Sequence, residues 1–122
     1  MEREHLTEHT ELGRITIGPD AIAQIVGHTT AECYGVVAMA GKGLTGRALK
    51  RRLTRDKLTQ GIEVSGSENG VRLDLHVVVE YGLNLAEVAA AIRSRVAYEV
   101  ERLTGLTVAA VEVHIDDVRK SA

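Results

Sequence analysis

The sequence has no tryptophan and no phenylalanine, and Tyr34, Tyr81 and Tyr98 are its only large aromatic side chains. Any core it builds is therefore aliphatic, filled by Val, Ile, Leu and Ala. Cys33 is its only cysteine, so no internal disulfide can form, which fits a reducing cytosol. No apolar run approaches the roughly 20 residues that a membrane-spanning helix needs. The opening stretch MEREHLTEHTE is charged and lacks the apolar region of a secretory signal. Chemistry is missing too. No nucleophile is paired with a base, and no two carboxylates stand at a fixed spacing. Gly41-Lys42-Gly43 lacks the spacing of a phosphate-binding loop. These absences lead us to expect a cytoplasmic, non-enzymatic protein with no cofactor.

The residues that are present describe an ordinary globular chain. Of its 122 residues, 44% are hydrophobic and 26% charged, enough apolar material for one domain and too much for a disordered one. Residues 1–11 are polar and aperiodic and read as a flexible tail, as do 119–122. Ile15 and Ile17 alternate with Arg14 and Thr16, the period of a short strand. Gly18-Pro19-Asp20 then stops that strand and opens a helix, with Pro in the first turn and Asp at the positive end of the dipole. Ile22, Ile25, Val26 and Thr29 follow at helical spacing, although Gly27 weakens the helix. A second strand is expected over Val36-Val37-Ala38-Met39.

From Gly61 onward the signals are stronger. Ile62 and Val64 alternate with polar residues, and Glu68-Asn69-Gly70 supplies hairpin-turn chemistry, Asn-Gly being the usual source of positive φ. Val71, Leu73, Leu75, Val77 and Val79 alternate with Arg72, Asp74, His76 and Glu80, giving one dry face and one wet one. Asn84 with Glu87 resembles a capping box. Leu85, Val88, Ala89, Ile92, Val96, Val100 and Leu103 make one apolar stripe along a helix of about 21 residues. Gly105 stands where a left-handed cap is expected, with Leu106 folding back on the last turn. Val108, Val111, Val113 and Ile115 form the closing strand, and its alternation slips at Ala109-Ala110, as at a bulge. The expected fold is α+β: a single domain with a mixed sheet of about five strands and two helices on one face. Its order is strand, helix, strand, basic insert, strand, strand, helix, strand.

The basic insert, residues 41–60, interrupts this order. Lys42, Arg47, Lys50, Arg51, Arg52, Arg55 and Lys57 face one acid, Asp56, for a charge of +6; the rest of the molecule carries −8. The segment reads as a solvated connection, as an electrostatic dock for an acidic partner or anionic membrane surface, or as a nucleic-acid contact. It contains no aromatic for base stacking, which weighs against the last. Those seven cations are the candidate partner-binding residues.

Other candidates are weaker. His5 and His9 lie four apart without a third ligand, so no metal site is assigned there. His76 and His114 fall on the polar faces of their strands, Asp116-Asp117 reads as a solvated strand end, and Cys33 as a small buried apolar residue.

Several segments, in order, resemble the bacterial alkaline-shock family of general or cell-envelope stress-response proteins. They begin with Gly13-Arg14-Ile15-Thr16-Ile17, Tyr34-Gly35-Val36-Val37-Ala38-Met39 and Thr59-Gln60-Gly61-Ile62-Glu63-Val64. The more specific ones follow: Val79-Glu80-Tyr81-Gly82, Leu85-Ala86-Glu87-Val88-Ala89, Thr104-Gly105-Leu106-Thr107-Val108 and Val111-Glu112-Val113-His114-Ile115. The resemblance covers residues 12–118. It implies a small cytoplasmic protein without catalytic residues, able to self-assemble and held beneath the membrane by a membrane-anchored partner. The sequence departs from the family pattern at Leu85, where a proline often opens the long helix, and in its arginine-rich insert. A nucleic-acid-binding module acting through the insert is the alternative.

Overall fold

The computed structural model describes residues 7–40 and 59–120. Its first feature revises the expected tail. Thr7–Thr10 is a strand, β1, paired antiparallel with β2, Gly13–Thr16, in the register Thr7↔Thr16 to Thr10↔Gly13. The Thr10 hydroxyl closes the turn by donating to the Gly13 carbonyl at 3.2 Å and accepting from the Leu12 N–H at 3.2 Å. Sequence periodicity missed β1 because Thr7–Thr10 contains no apolar residue; all of β2 is exposed, and Leu12 at the tip is wholly so. The hairpin is a sheet of its own, whereas the residues of β2 had been expected in the main sheet.

Helix α1 spans Pro19–Ala31. Pro19 opens it, where the missing N–H is no loss, and Asp20 sits in its first turn. It runs through Gly27, which is buried, and ends at Glu32. Ile22 and Val26 are its fully buried residues in the core.

The main sheet is organised around β5, Gly70–Glu80. One edge of β5 is shared end to end by two short antiparallel strands. β4, Ile62–Ser67, pairs with Gly70 to Leu75, and β3, Val36–Met39, pairs with Val77 to Val79. They meet at His76, whose N–H donates to the Gly61 carbonyl and whose carbonyl accepts from the Ala40 N–H, both at 2.9 Å. The other edge of β5 pairs with β6, Val108–Arg119, in parallel. A parallel pair requires a crossover, and the helix α2, Leu85–Thr104, supplies it. The sheet is therefore mixed, as expected, with four strands in three positions.

The local signals from Gly61 onward are largely realised. Asn84 is the N-cap of α2, its side chain accepting from the Glu87 N–H at 3.0 Å. Gly105 takes the left-handed conformation at φ 78°, and its N–H donates to the Glu101 carbonyl at 2.9 Å. Leu106 folds back into the core. The slip at Ala109 is a register shift, Val71 facing Val108 and Arg72 facing Ala110.

Two expectations change. Of the Asn-Gly pair only Gly70 has positive φ, 127°; Asn69 does not. Ser67 closes the turn instead, accepting from the Asn69 N–H at 3.3 Å and donating to the Gly70 carbonyl at 2.9 Å. The apolar stripe of α2 is also shorter than it reads. Val88, Ile92, Val96 and Val100 are buried at strict four-residue spacing, while Leu85 and Leu103 at the two ends are exposed.

The core lies between the two helices and one face of the sheet. Ile22 and Val26 from α1, Val88, Ile92, Val96 and Val100 from α2, and Val71, Leu73, Leu75, Val77 and Val79 from β5 form one cluster with Met39 and Leu106. It is wholly aliphatic apart from the Met39 thioether, as the absence of Phe and Trp requires.

Candidate functional site

Helices α1 and α2 cover the same face of the sheet, and among the described residues the opposite face is lined by polar side chains. Arg72, Asp74 and His76 alternate there along β5, and the parallel register sets Glu112 opposite Asp74 and His114 opposite His76. The imidazoles of His76 and His114 stack with centroids 4.4 Å apart and planes 12° from parallel. Each histidine is paired diagonally with a carboxylate of the other strand. His114 Nε2 lies 2.7 Å from Asp74 Oδ1, and His76 Nδ1 lies 3.0 Å from Asp116. Arg72 donates to Glu112 at 3.4 Å. A shallow depression of about 290 Å³ beside these residues is lined by Glu63, Ser65, Arg72 and Asp74.

A second register shift places this cluster. Val77 faces Ile115 and Val78 faces Asp117, so Asp116 is the extra residue of a bulge. Bulges re-aim side chains, and here Asp116 reaches back to His76. Sequence reading placed both histidines on polar faces but could not pair them. The signal that could have done so was the strand–helix–strand unit itself, which implies a parallel neighbour with His76 and His114 at similar depth.

The helix side carries a second concavity, a cleft of about 490 Å³ between α1 and α2 lined by residues that include His28, Glu32, Arg95, Glu99 and Arg102. Arg95 crosses it to Glu32 at 3.1 Å, and Glu99 binds Arg102 at 2.7 Å. Cys33 stands near its edge, its thiol donating to the Thr29 carbonyl at 3.4 Å. Burial raises the Cys33 thiol pKa, and Arg95 only partly counters it. The protonated thiol is a poor nucleophile at neutral pH.

All three tyrosines lie on the surface: Tyr34 is 79% exposed, Tyr81 62% and Tyr98 61%. Tyr34 and Tyr81 share one end of the sheet, because the Glu80 N–H donates to the Gly35 carbonyl at 2.9 Å. Val37 and Leu85 are also exposed. The seven insert cations Lys42, Arg47, Lys50, Arg51, Arg52, Arg55 and Lys57 lie outside the described residues. No helix among the described residues is long and apolar enough to cross a membrane.

These features define a small α+β domain with an aliphatic core, a polar sheet face opposite α1 and α2, and its tyrosine side chains exposed. Residues 7–120 match the alkaline shock protein 23 family, whose function is related to the cell envelope, and the chain belongs to that family. The chain is 31% identical over 110 residues to the uncharacterized protein YloU of Bacillus subtilis, covering 90% of this chain and 92% of YloU. It is 31% identical over 111 residues to the uncharacterized protein Spy1614 of Streptococcus pyogenes, covering 91% and 92%. Stress response regulator gls24 homologs of S. pyogenes are 27% identical over 107 residues, 88% of this chain and 59% of theirs. No solved structure matches.

Proposed function

We propose that the protein works in the cell-envelope stress response by binding rather than catalysis. It associates with copies of itself and docks a membrane-anchored protein partner at the inner face of the membrane. The observation that carries this reading is the exposure of all three tyrosines. A domain short of aromatics would ordinarily use them in its core, where each buries a large area; exposed Tyr is instead the residue type enriched at protein interfaces. Tyr34 and Tyr81, with Val37 and Leu85 exposed nearby, offer an anchor for the partner.

The charge distribution supports association between copies. An insert of +6 in a molecule whose remainder carries −8 favours head-to-tail contacts, insert against body. Such contacts weaken with salt, since the Debye length is about 8 Å at physiological ionic strength. The stress-regulator naming of the gls24 homologs supports the setting.

Sedimentation velocity tests the reading. The wild type should form faster-sedimenting species at low salt and return to monomer at high salt. Replacing Lys50, Arg51, Arg52 and Arg55 by Gln should abolish the effect. Tyr34→Ser with Tyr81→Ser should lose retention by the membrane fraction while leaving the salt-dependent association in place. A monomer at low salt and high concentration refutes self-association. Tight, salt-sensitive retention on nucleic acid that the quadruple variant loses would assign the insert to nucleic-acid binding instead.

A further inference from the structure

We propose that His76, His114 and Asp74 form a binding site for a divalent transition-metal ion, zinc being the best fit, with Asp116 as the carboxylate behind one of the histidine ligands.

The ring orientations carry the inference. β5 and β6 run in parallel, so Asp116 lies toward their C-terminal ends from the histidine pair and Asp74 toward their N-terminal ends. His76 turns Nδ1 to Asp116, whereas His114 turns Nε2 to Asp74. With the rings only 12° from parallel, both then present Nε2 on the Asp74 side. One donor atom from each of Asp74, His76 and His114 lies within 4.8 Å of the others.

Two imidazoles and one carboxylate are the donor set of a three-ligand zinc site, with water in the fourth position. Zinc bonds of about 2.0–2.1 Å in tetrahedral geometry require ligand atoms about 3.3 Å apart. Each imidazole lone pair lies in its own ring plane, so binding one ion requires the two stacked rings to tilt toward each other as the donor atoms close in. Asp116 meets the other requirement of such sites. A ligating histidine almost always donates its remaining ring N–H to a carboxylate or carbonyl, which fixes the tautomer and raises the basicity of the ligand nitrogen. Accepting from Nδ1–H of His76, Asp116 leaves the lone pair on Nε2, the nitrogen on the Asp74 side.

The bulge at Asp116, which lies within β6 rather than at the strand end expected from sequence, thereby acquires a purpose. The mixed nitrogen–oxygen set also admits copper and nickel, following the usual affinity order, and disfavours magnesium and calcium, which prefer oxygen alone. The ion would tie β5 to β6 across the open face of the sheet.

The full chain, freed of metal with a chelator, can be titrated with zinc chloride by calorimetry at neutral pH, and with cobalt chloride followed by visible absorption. One ion per chain and the intense bands of tetrahedral cobalt are expected. His76→Asn and His114→Asn should each weaken zinc binding at least about tenfold, and Asp116→Asn about tenfold through its hold on the His76 ring. Glu112→Gln, on the same face but paired with Arg72, should leave binding unchanged. Wild-type binding no tighter than that of the His76→Asn, His114→Asn double variant overturns the proposal. Should a variant fail to fold by circular dichroism, the nitrogen NMR shifts of the wild-type imidazoles decide. Nε2 of His76 and His114 must move on adding zinc, and unmoved signals overturn the site.

Discussion

At Gly70 the fold leaves no room for a side chain, and replacing it with alanine tests how β6 is seated. Gly70 has φ 127°, a region that residues with a side chain rarely adopt. A Cβ there would also press inside van der Waals contact of the Thr107 carbonyl, the acceptor of the 2.8 Å bond from the Val71 N–H. Gly82 has a similar φ, 102°, but open space where its Cβ would go, so it isolates the conformational cost. That cost is about 1–3 kcal/mol, reduced by less than about 1 kcal/mol of unfolded-chain entropy. Gly82→Ala should therefore lose about 1–2 kcal/mol. Gly70→Ala carries the same penalty and must also displace the Thr107 carbonyl, losing a buried hydrogen bond worth about 1–3 kcal/mol when left unmade. Its loss should total about 2–5 kcal/mol. For a chain of this size each kcal/mol lowers Tm by about 4 °C, so Gly70→Ala should melt about 8–20 °C and Gly82→Ala about 4–8 °C below the wild type. Thermal and urea unfolding followed by far-UV circular dichroism measure both. Equal losses for the two variants would refute the argument that β6 enters the sheet hard against Gly70.

The two ends of the α2 stripe should behave unlike its centre. Ile92→Ala, at a fully buried position, should cost about 2–5 kcal/mol, whereas Leu103→Ala, 54% exposed, should stay within about 0.5 kcal/mol of wild type in urea titrations. Cys33 has its folded pKa raised, so its contribution to stability is present below the unfolded-thiol pKa and lost as pH rises through the folded one. The thiol should consequently react slowly with iodoacetamide at neutral pH and faster under alkali. Cys33→Ser should flatten the alkaline fall in stability, and a fast neutral-pH reaction would contradict the burial argument.

Much of the fold was legible because its signals are local. The Asn84 cap, the Gly105 stop and the Ala109 slip each depend on a few neighbouring residues, and each appears where the sequence puts it. Strand β2 showed in the alternation around Ile15, but β1 left no such trace, because Thr7–Thr10 carries no apolar residue to set a period. The turn at Asn69 went differently because the Ser67 hydroxyl satisfies the backbone there without a left-handed asparagine. In α2, periodicity marked the apolar stripe correctly but could not say how far the sheet beneath it extends. Leu85 is left exposed at the start of the helix, and Leu103 at its end is exposed where it lines the cleft beside α1.

By itself the sequence determined which side of α1, α2 and β5 faces the core, since side-chain period is a property of the backbone alone. It also determined an aliphatic interior and a charge split between the insert and the remainder of the molecule. Only the tertiary structure decided which wet residues became neighbours. Period fixes a face but not a partner; partners depend on strand direction and register, which here follow from the α2 crossover and two bulges. Through that register, two histidines that read as unrelated surface residues became a stacked pair between two carboxylates.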